Sequence, residues 1–287
     1  MGRVLVLGHT GKLGRALARA FGAGHEVHGC SRSTGFDAGD FAALRALLQR
    51  LAPEVVVNAA ALNGRAPCDA DPALAYRMNS LLPRLLAQCS ASMGFLLLHF
   101  STDMVFEGAK GKGPYGEADE VVPISTYGLT KFGGDCYVRA EAERYYVFRL
   151  SMLAGESRRG EQFIDRMITR ARAGETVRVA HDVACSPSYV EDVAREILRV
   201  VEQGFPAGLY HVANAGQATL HELMREILDG LDLKAPLESR SQQEFPFPSR
   251  HDRSTPLCSG KLEPLRDWRE AIRDYCRSQR GPAAAAI

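Results

Sequence analysis

Short unbroken runs of apolar residues punctuate the first half of the chain: Arg3-Val-Leu-Val-Leu-Gly8, His25 to Cys30, Glu54-Val-Val-Val-Asn58, Phe95-Leu-Leu-Leu-His-Phe100 and Tyr145-Tyr-Val-Phe-Arg-Leu150. Runs of this length without alternation fit strands covered on both faces. Helical patterns fill the intervals. Leu13, Leu17, Ala18 and Phe21 form one stripe, Asp40 is placed to cap a helix from Phe41 to Leu51, and Pro72 to Met93 reads as one long helix kinked at Pro83. Strands alternating with helices predict an α/β fold built on a doubly wound parallel sheet, with Glu54–Ala61 counted as its fourth strand and Tyr145–Leu150 as its sixth. Beyond Leu150 the pattern changes. Shorter helical and strand segments (161–173, 176–180, 189–203, 208–212 and 220–231) alternate with loops, which points to a second, smaller domain. No internal repeat is present.

Two stretches carry chemistry. The first strand leads into Gly8-His-Thr10-Gly11-Lys12-Leu13-Gly14 and then a helix, the order that makes a glycine motif a dinucleotide-binding turn. The first glycine permits the turn, the second lets a pyrophosphate approach the backbone, the third lets helix pack on strand, and the helix N-terminus favours the anion. An ordinary strand–helix turn with incidental glycines is the competing reading, and the flanking pattern argues against it. The second stretch begins where the Phe95–Phe100 run delivers Ser101-Thr102-Asp103 to the carboxyl edge of the sheet, where open α/β sheets hold ligands. It ends in Tyr127-Gly-Leu-Thr-Lys131, whose spacing places the phenol and the ammonium on one helix face. A nearby cation favours phenolate, so Lys131 is expected to lower the pKa of Tyr127 and make it a proton donor, with Thr102 bonding the same carbonyl oxygen. Taken alone, Tyr-x-x-x-Lys is common on helices. It gains weight from the glycine turn at the other end of the chain.

Composition narrows the picture further. A length of 287 residues suggests about two domains, and a net charge of +1 gives no footprint for nucleic acid or an anionic membrane. The seven cysteines are scattered without C-x-x-C or metal-like spacing, so they read as reduced thiols. No signal peptide and no membrane-length apolar run are recognised, and the expectation is a soluble cytoplasmic protein. After the second strand, Ser31-Arg32-Ser33 stands where NAD sites carry an acidic residue for the ribose. Arg32 with two hydroxyls suits a 2′-phosphate instead, so NADPH is expected, with NADH the alternative. Small residues at Ala59, Ala60 and Ala61 let a flat cofactor lie against the backbone.

The glycine turn, Asn58-Ala-Ala-Ala61, Ser101-Thr-Asp-Met-Val-Phe106, Pro114-Tyr-x-Glu117-x-Asp119, Pro123 and Tyr127-Gly-x-Thr-Lys131 together resemble the dTDP-4-dehydrorhamnose reductase family, extended short-chain dehydrogenases/reductases acting on sugar nucleotides. The resemblance continues through Phe148-Arg-Leu-Ser151, Asp182, Ser186-Pro187, Gly208-Leu-Tyr-His211 and Lys261-Leu262…Asp267-Trp268. It implies a Rossmann-type domain over 1–150, completed by about 181–213. It further implies an interleaved α/β substrate domain from 151–180 and 214–280, leaving 281–287 as a frayed tail. It implies reduction of a nucleotide-activated 4-keto sugar: catalytic Thr102, Tyr127 and Lys131, with Gly8, Thr10, Gly11, Lys12, Leu13, Gly14, Arg32, Asp37, Ala59, Ala60, Ala61 and Ser101 about the cofactor. Asp103, Met152 and the loop carrying Arg250 would meet the substrate. A homodimer is compatible with it, and no metal is implied. The chain departs from the family pattern where that family meets its substrate. Met152 replaces a Trp, Asp182-Val-Ala-Cys-Ser-Pro187-Ser188 loses an amide, and Asn63-Gly-Arg65-Ala66 is altered. These departures imply a related but different sugar. Two other readings stay open, a non-catalytic subunit resembling the regulatory β subunit of methionine adenosyltransferase and a sugar-nucleotide epimerase or dehydratase.

Overall fold

The computed structural model describes residues 2–108, 113–156, 162–245 and 254–280. Six parallel strands form the central sheet: β1 (Arg3–Leu7), β2 (Glu26–Cys30), β3 (Val55–Asn58), β4 (Leu96–Thr102), β5 (Tyr145–Leu150) and β6 (Gly208–His211). They lie in the order β6-β5-β4-β3-β1-β2, so the chain steps outward from β1 in both directions. The switch point falls between β1 and β3, which places the turn after Gly8 opposite Ala59, at the position where doubly wound sheets bind ligands.

The apolar runs are unbroken because both faces are covered. Val4 and Val6 join one core with Ala16, Leu17 and Phe21 of α1 (Lys12–Gly22) and with Val190, Val193 and Ile197 of the helix Val190–Glu202. Leu5 and Leu7 point the other way, into a core with Leu44 and Leu48 of α2 (Phe41–Leu51) and Leu82, Leu85 and Leu86 of α3 (Leu82–Met93). A separate core unites the helices Phe163–Arg172, Leu220–Leu231 and Trp268–Gln279 with the strand Val177–Ala180; Trp268 is wholly buried in it.

Three expectations change. No strand lies between Cys30 and Val55, where a 3₁₀ turn (Arg32–Thr34) and α2 take up the chain, so Glu54–Asn58 leads to the third strand and Tyr145–Leu150 is the fifth. The long helix is a short helix Pro72–Tyr76, a π-helical turn Arg77–Leu81 and then α3, with Pro83 in the first turn of α3, where its missing N–H costs little. The π turn directs Asn79 inward, fully buried. Asn79 Nδ2 donates to Leu62 O (3.0 Å) and Thr130 Oγ1 (3.2 Å), and its Oδ1 accepts from Leu62 N (2.9 Å). That amide fastens the chain after β3 to the helix carrying Tyr127.

Candidate active site

At the end of β1, Gly8 adopts φ +75° and Gly14 presses on its carbonyl: a Cβ at Gly14 would stand 2.3 Å from Gly8 O. The turn therefore cannot carry a larger residue there. Gly11 is the N-cap of α1 and offers no side chain to the helix's first amides, which are left for an outside acceptor. Across the turn, Thr10 Oγ1 lies 3.1 Å from Ser31 Oγ and 2.9 Å from Ser33 Oγ, and those two are 2.9 Å apart. Exposed Arg32 sits between the two serines, and no acidic residue occupies this turn. Asp37 is exposed, its carboxylate accepting from Gly39 N (2.9 Å). The side chain of Lys12 leaves the turn. Its ammonium is buried, donating to Leu153 O (3.2 Å) and facing Asp165 at 3.5 Å, so only its backbone remains with the glycines.

The other half of the site grows from β4 and α4 (Thr126–Glu141). Ser125 caps α4 by accepting from Gly128 N (3.1 Å). Gly128 lets the helix close onto the turn after β4: a Cβ there would stand 2.1 Å from Met104 O. Close approach brings Tyr127 into a small cluster with Cys68 and Ala75, and Lys131 stands one turn on; they are only 9% and 4% exposed. Burial first, then the charge of Asp103, pushes the Tyr127 phenol above its ordinary value, and Thr102 beside it offsets this only in part. The expected lowering by Lys131 is reversed, because desolvation outweighs the cation. Tyr127 thus holds its proton firmly at neutral pH. Burial likewise lowers the Lys131 ammonium to about 8, opposed by Asp135.

Thr102 Oγ1 donates to Asp103 Oδ1 (3.0 Å) and accepts from Met104 N (3.2 Å). Asp103 Oδ2 accepts from Ser151 Oγ (2.7 Å) and Thr255 Oγ1 (3.0 Å), so this carboxylate joins β4, the chain after β5 and the segment beginning at Ser254. Met152 packs half-buried on the core around Trp268, and its carbonyl accepts from Ser188 N (2.8 Å). Ser101 is buried and donates its hydroxyl to Asp135 Oδ2 (2.7 Å). Arg250, with His251 and Arg253, lies outside the described residues.

The sequence reading missed Cys68 and Asp135. Asp135 alone left a signal, since it continues the four-residue spacing of Tyr127 and Lys131. The Pro114–Asp119 motif has a structural role. Tyr115 stacks on Phe106 with ring centroids 4.3 Å apart, and Glu117 accepts from His211 N (2.9 Å), Ser259 Oγ (2.5 Å) and Gly260 N (3.0 Å). Among the described residues no group of His, Cys, Asp and Glu is set to hold a metal ion, and no helix is long and apolar enough to cross a membrane.

Fold and site define a Rossmann-type α/β protein with a glycine turn that leaves α1 uncapped and a buried Tyr–Lys pair at the same sheet edge. The RmlD substrate binding domain model matches residues 2–280, and the chain belongs to that family. It is 33% identical, over 95% of its length and 94% of the other's, to a probable dTDP-4,6-dihydroxy-2-methyloxan-3-one 4-ketoreductase of Streptomyces antibioticus. It is 32% identical to the dTDP-4-dehydrorhamnose reductase of Mycolicibacterium smegmatis, over 95% of this chain and 84% of that one. Among solved structures, the dTDP-4-dehydrorhamnose reductase of Bacillus anthracis in complex with NADP superposes with TM-score 0.89 at 25% identity, covering 96% of this chain and 99% of that one.

Proposed function

We propose that this protein is an NADPH-dependent reductase of the 4-keto group of a nucleotide-activated deoxysugar. The observation that carries the reading is the buried face of α4, where Tyr127 and Lys131 stand beside Thr102 at the edge of the sheet that also bears the glycine turn. The cofactor fits the residues present. The uncapped amides of α1 suit its pyrophosphate, Ala59–Ala61 offer a flat wall, and Arg32 with the Thr10–Ser31–Ser33 hydroxyls suits a 2′-phosphate. When bound, the reduced nicotinamide supplies a hydride to the carbonyl carbon. Tyr127 gives its proton to the oxygen that becomes an alkoxide, a stronger base than phenolate, so a firmly protonated phenol suits the reductive direction. Thr102 orients that oxygen by turning its hydroxyl from Asp103 to it, and Lys131 binds the cofactor ribose and steadies the phenolate that Tyr127 becomes. Asp103 already accepts three hydroxyl donors, and its part is to hold Thr102 in place. Proton donation of this kind contributes about 10²–10⁴-fold in rate.

The test is NADPH oxidation against a panel of nucleotide diphosphate 4-keto sugars, with Tyr127→Phe beside the wild type. Turnover that falls at least about 10²-fold in the variant, with NADPH binding retained, is the expected result. Turnover undiminished by loss of the hydroxyl removes Tyr127 from the chemistry. NADPH binding without turnover of any such sugar favours the regulatory-subunit reading.

A further inference from the structure

The face of α4 that carries Tyr127 and Lys131 does not end with them. One turn further, Asp135 is fully buried, and three side chains from two adjacent strands converge on its carboxylate. Ser101 Oγ of β4 donates to Oδ2 at 2.7 Å, Arg149 Nε of β5 stands 3.4 Å from Oδ2, and His99 Nε2 of β4 stands 3.5 Å from Oδ1. Arg149, itself 1% exposed, rests its guanidinium over the Phe106 ring at 5.4 Å. We propose that Asp135 is a positioning residue for the reaction, the buried counter-charge of Lys131, held in place by Ser101, Arg149 and His99. The inference rests on the proposed role of Lys131 in binding the cofactor.

Several features favour this over a purely structural cluster. A buried carboxylate in an ion network is a poor device for stability, since well-packed apolar residues usually do as well or better. His99 Nε2 and Asp135 Oδ1 face each other at 3.5 Å, and Arg149 Nη1 lacks a hydrogen-bond partner among the described residues. A buried carboxylate held charged one helical turn from a buried ammonium is a source of negative potential for it. The charged and titratable groups about Lys131 are Asp135 on its own helix, His99 from β4, Arg149 from β5, Cys68 from the helix Arg65–Ala70, and Tyr127 with Asp103 at the mouth. Cys68 is held as a thiol, its titration raised to about 11 by burial, and burial keeps His99 neutral. Asp135 is therefore the anion nearest in the helix that offsets the desolvation of Lys131. Its own carboxyl stays below the ordinary range although burial pushes it up, because His99, Arg149 and Ser101 favour the charged form.

The test is the pH dependence of NADPH binding and of kcat/KM in the wild type and in Asp135→Asn. In the wild type both fall as pH rises past the Lys131 titration near 8. In Asp135→Asn the alkaline limb should move down by at least about one pH unit, so that a loss of about fivefold or more at pH 8 nearly disappears at pH 6. An equal loss at every pH, with the limb unmoved, overturns the proposal. Should the Asn variant fail to fold, Asp135→Glu retains the charge and should leave the limb within about half a unit of wild type; a shift of a full unit there also overturns it. Binding of NADPH is read without substrate, so a wild type that binds NADPH but reduces no sugar leaves this test standing. A wild type that binds none sinks both readings.

Discussion

At the ends of β1 and β2 the polar groups are backbone amides, the hydroxyls of Thr10, Ser31, Ser33 and Thr34, and the exposed guanidinium of Arg32. At the ends of β4 and β5 they are ionisable side chains almost wholly removed from water. On the proposed reading the first region meets a ligand that carries its own charge, so it needs only donors and access. Solvent screens what stands there, and each group acts nearly alone. On the same reading the second region shifts protons, and burial sets their affinities: Tyr127 is pushed up, Lys131 is pulled down, and Asp135 is held charged beside Arg149. Substitutions in the first region should therefore change which cofactor binds, whereas those in the second should change whether the helix and its charges stay assembled.

Two glycines bring out that contrast, and the effect is the largest expected. Gly128→Ala puts a Cβ 2.1 Å from the backbone oxygen of Met104, which cannot turn aside as a side-chain tip could. Overpacking of this kind costs about 1–3 kcal/mol, and the upper end is expected because backbone must move. Gly11→Ala, with its nearest atom at 3.2 Å and an exposed site, should cost under about 1 kcal/mol while weakening cofactor binding. Denaturant unfolding of both variants measures this directly. A Gly128→Ala protein as stable as Gly11→Ala would show that the close approach of α4 is not what seats Tyr127.

The same contrast explains how much was legible in the sequence. The glycine turn, the strands and the capped helix opening at Thr126 are local patterns, and the structure contains them near the expected residues. The phenol–ammonium spacing was equally plain. Its electrostatics were not, because a cation four residues away is visible in a sequence and the depth of burial is not. Asp135 and Arg149 read as ordinary charged residues until β4, β5 and α4 are brought together. Lys12 was assigned to the cofactor from its place in the turn, but its ammonium meets Asp165, 153 positions along the chain. The strand miscount came from allotting a strand to the stretch before Phe36, which serines and a glycine fold into a 3₁₀ turn, with Gly35 at φ +83°.

A smaller effect is expected at Lys131. Lys131→Met removes a buried ammonium and leaves Arg149 as the cation beside Asp135, so NADPH binding and turnover should both fall, turnover by about tenfold or more. Titration of NADPH by fluorescence, run beside the kinetics, checks that the two losses occur together. Loss of turnover with unchanged binding would confine Lys131 to tuning Tyr127.

The smallest effect on stability concerns Arg32, and it bears on the exposed side alone. Its guanidinium stands in the turn Arg32–Thr34, flanked by hydroxyls that already bond one another, so its removal leaves no buried group unpaired. Arg32→Ala should leave stability within about 0.5 kcal/mol of wild type. A charge-assisted bond to a 2′-phosphate contributes about 1.5–3 kcal/mol, so the dissociation constant for NADPH should rise roughly 10- to 100-fold. NADH lacks that phosphate, and its binding should change little. Because the site is open to solvent, the NADPH penalty should shrink as salt is raised, as screened charges require. Calorimetric titration of both cofactors at two ionic strengths separates the possibilities. Equal losses for NADH and NADPH would mean that Arg32 supports the turn and does not read the phosphate, leaving cofactor choice to the hydroxyl trio of Thr10, Ser31 and Ser33.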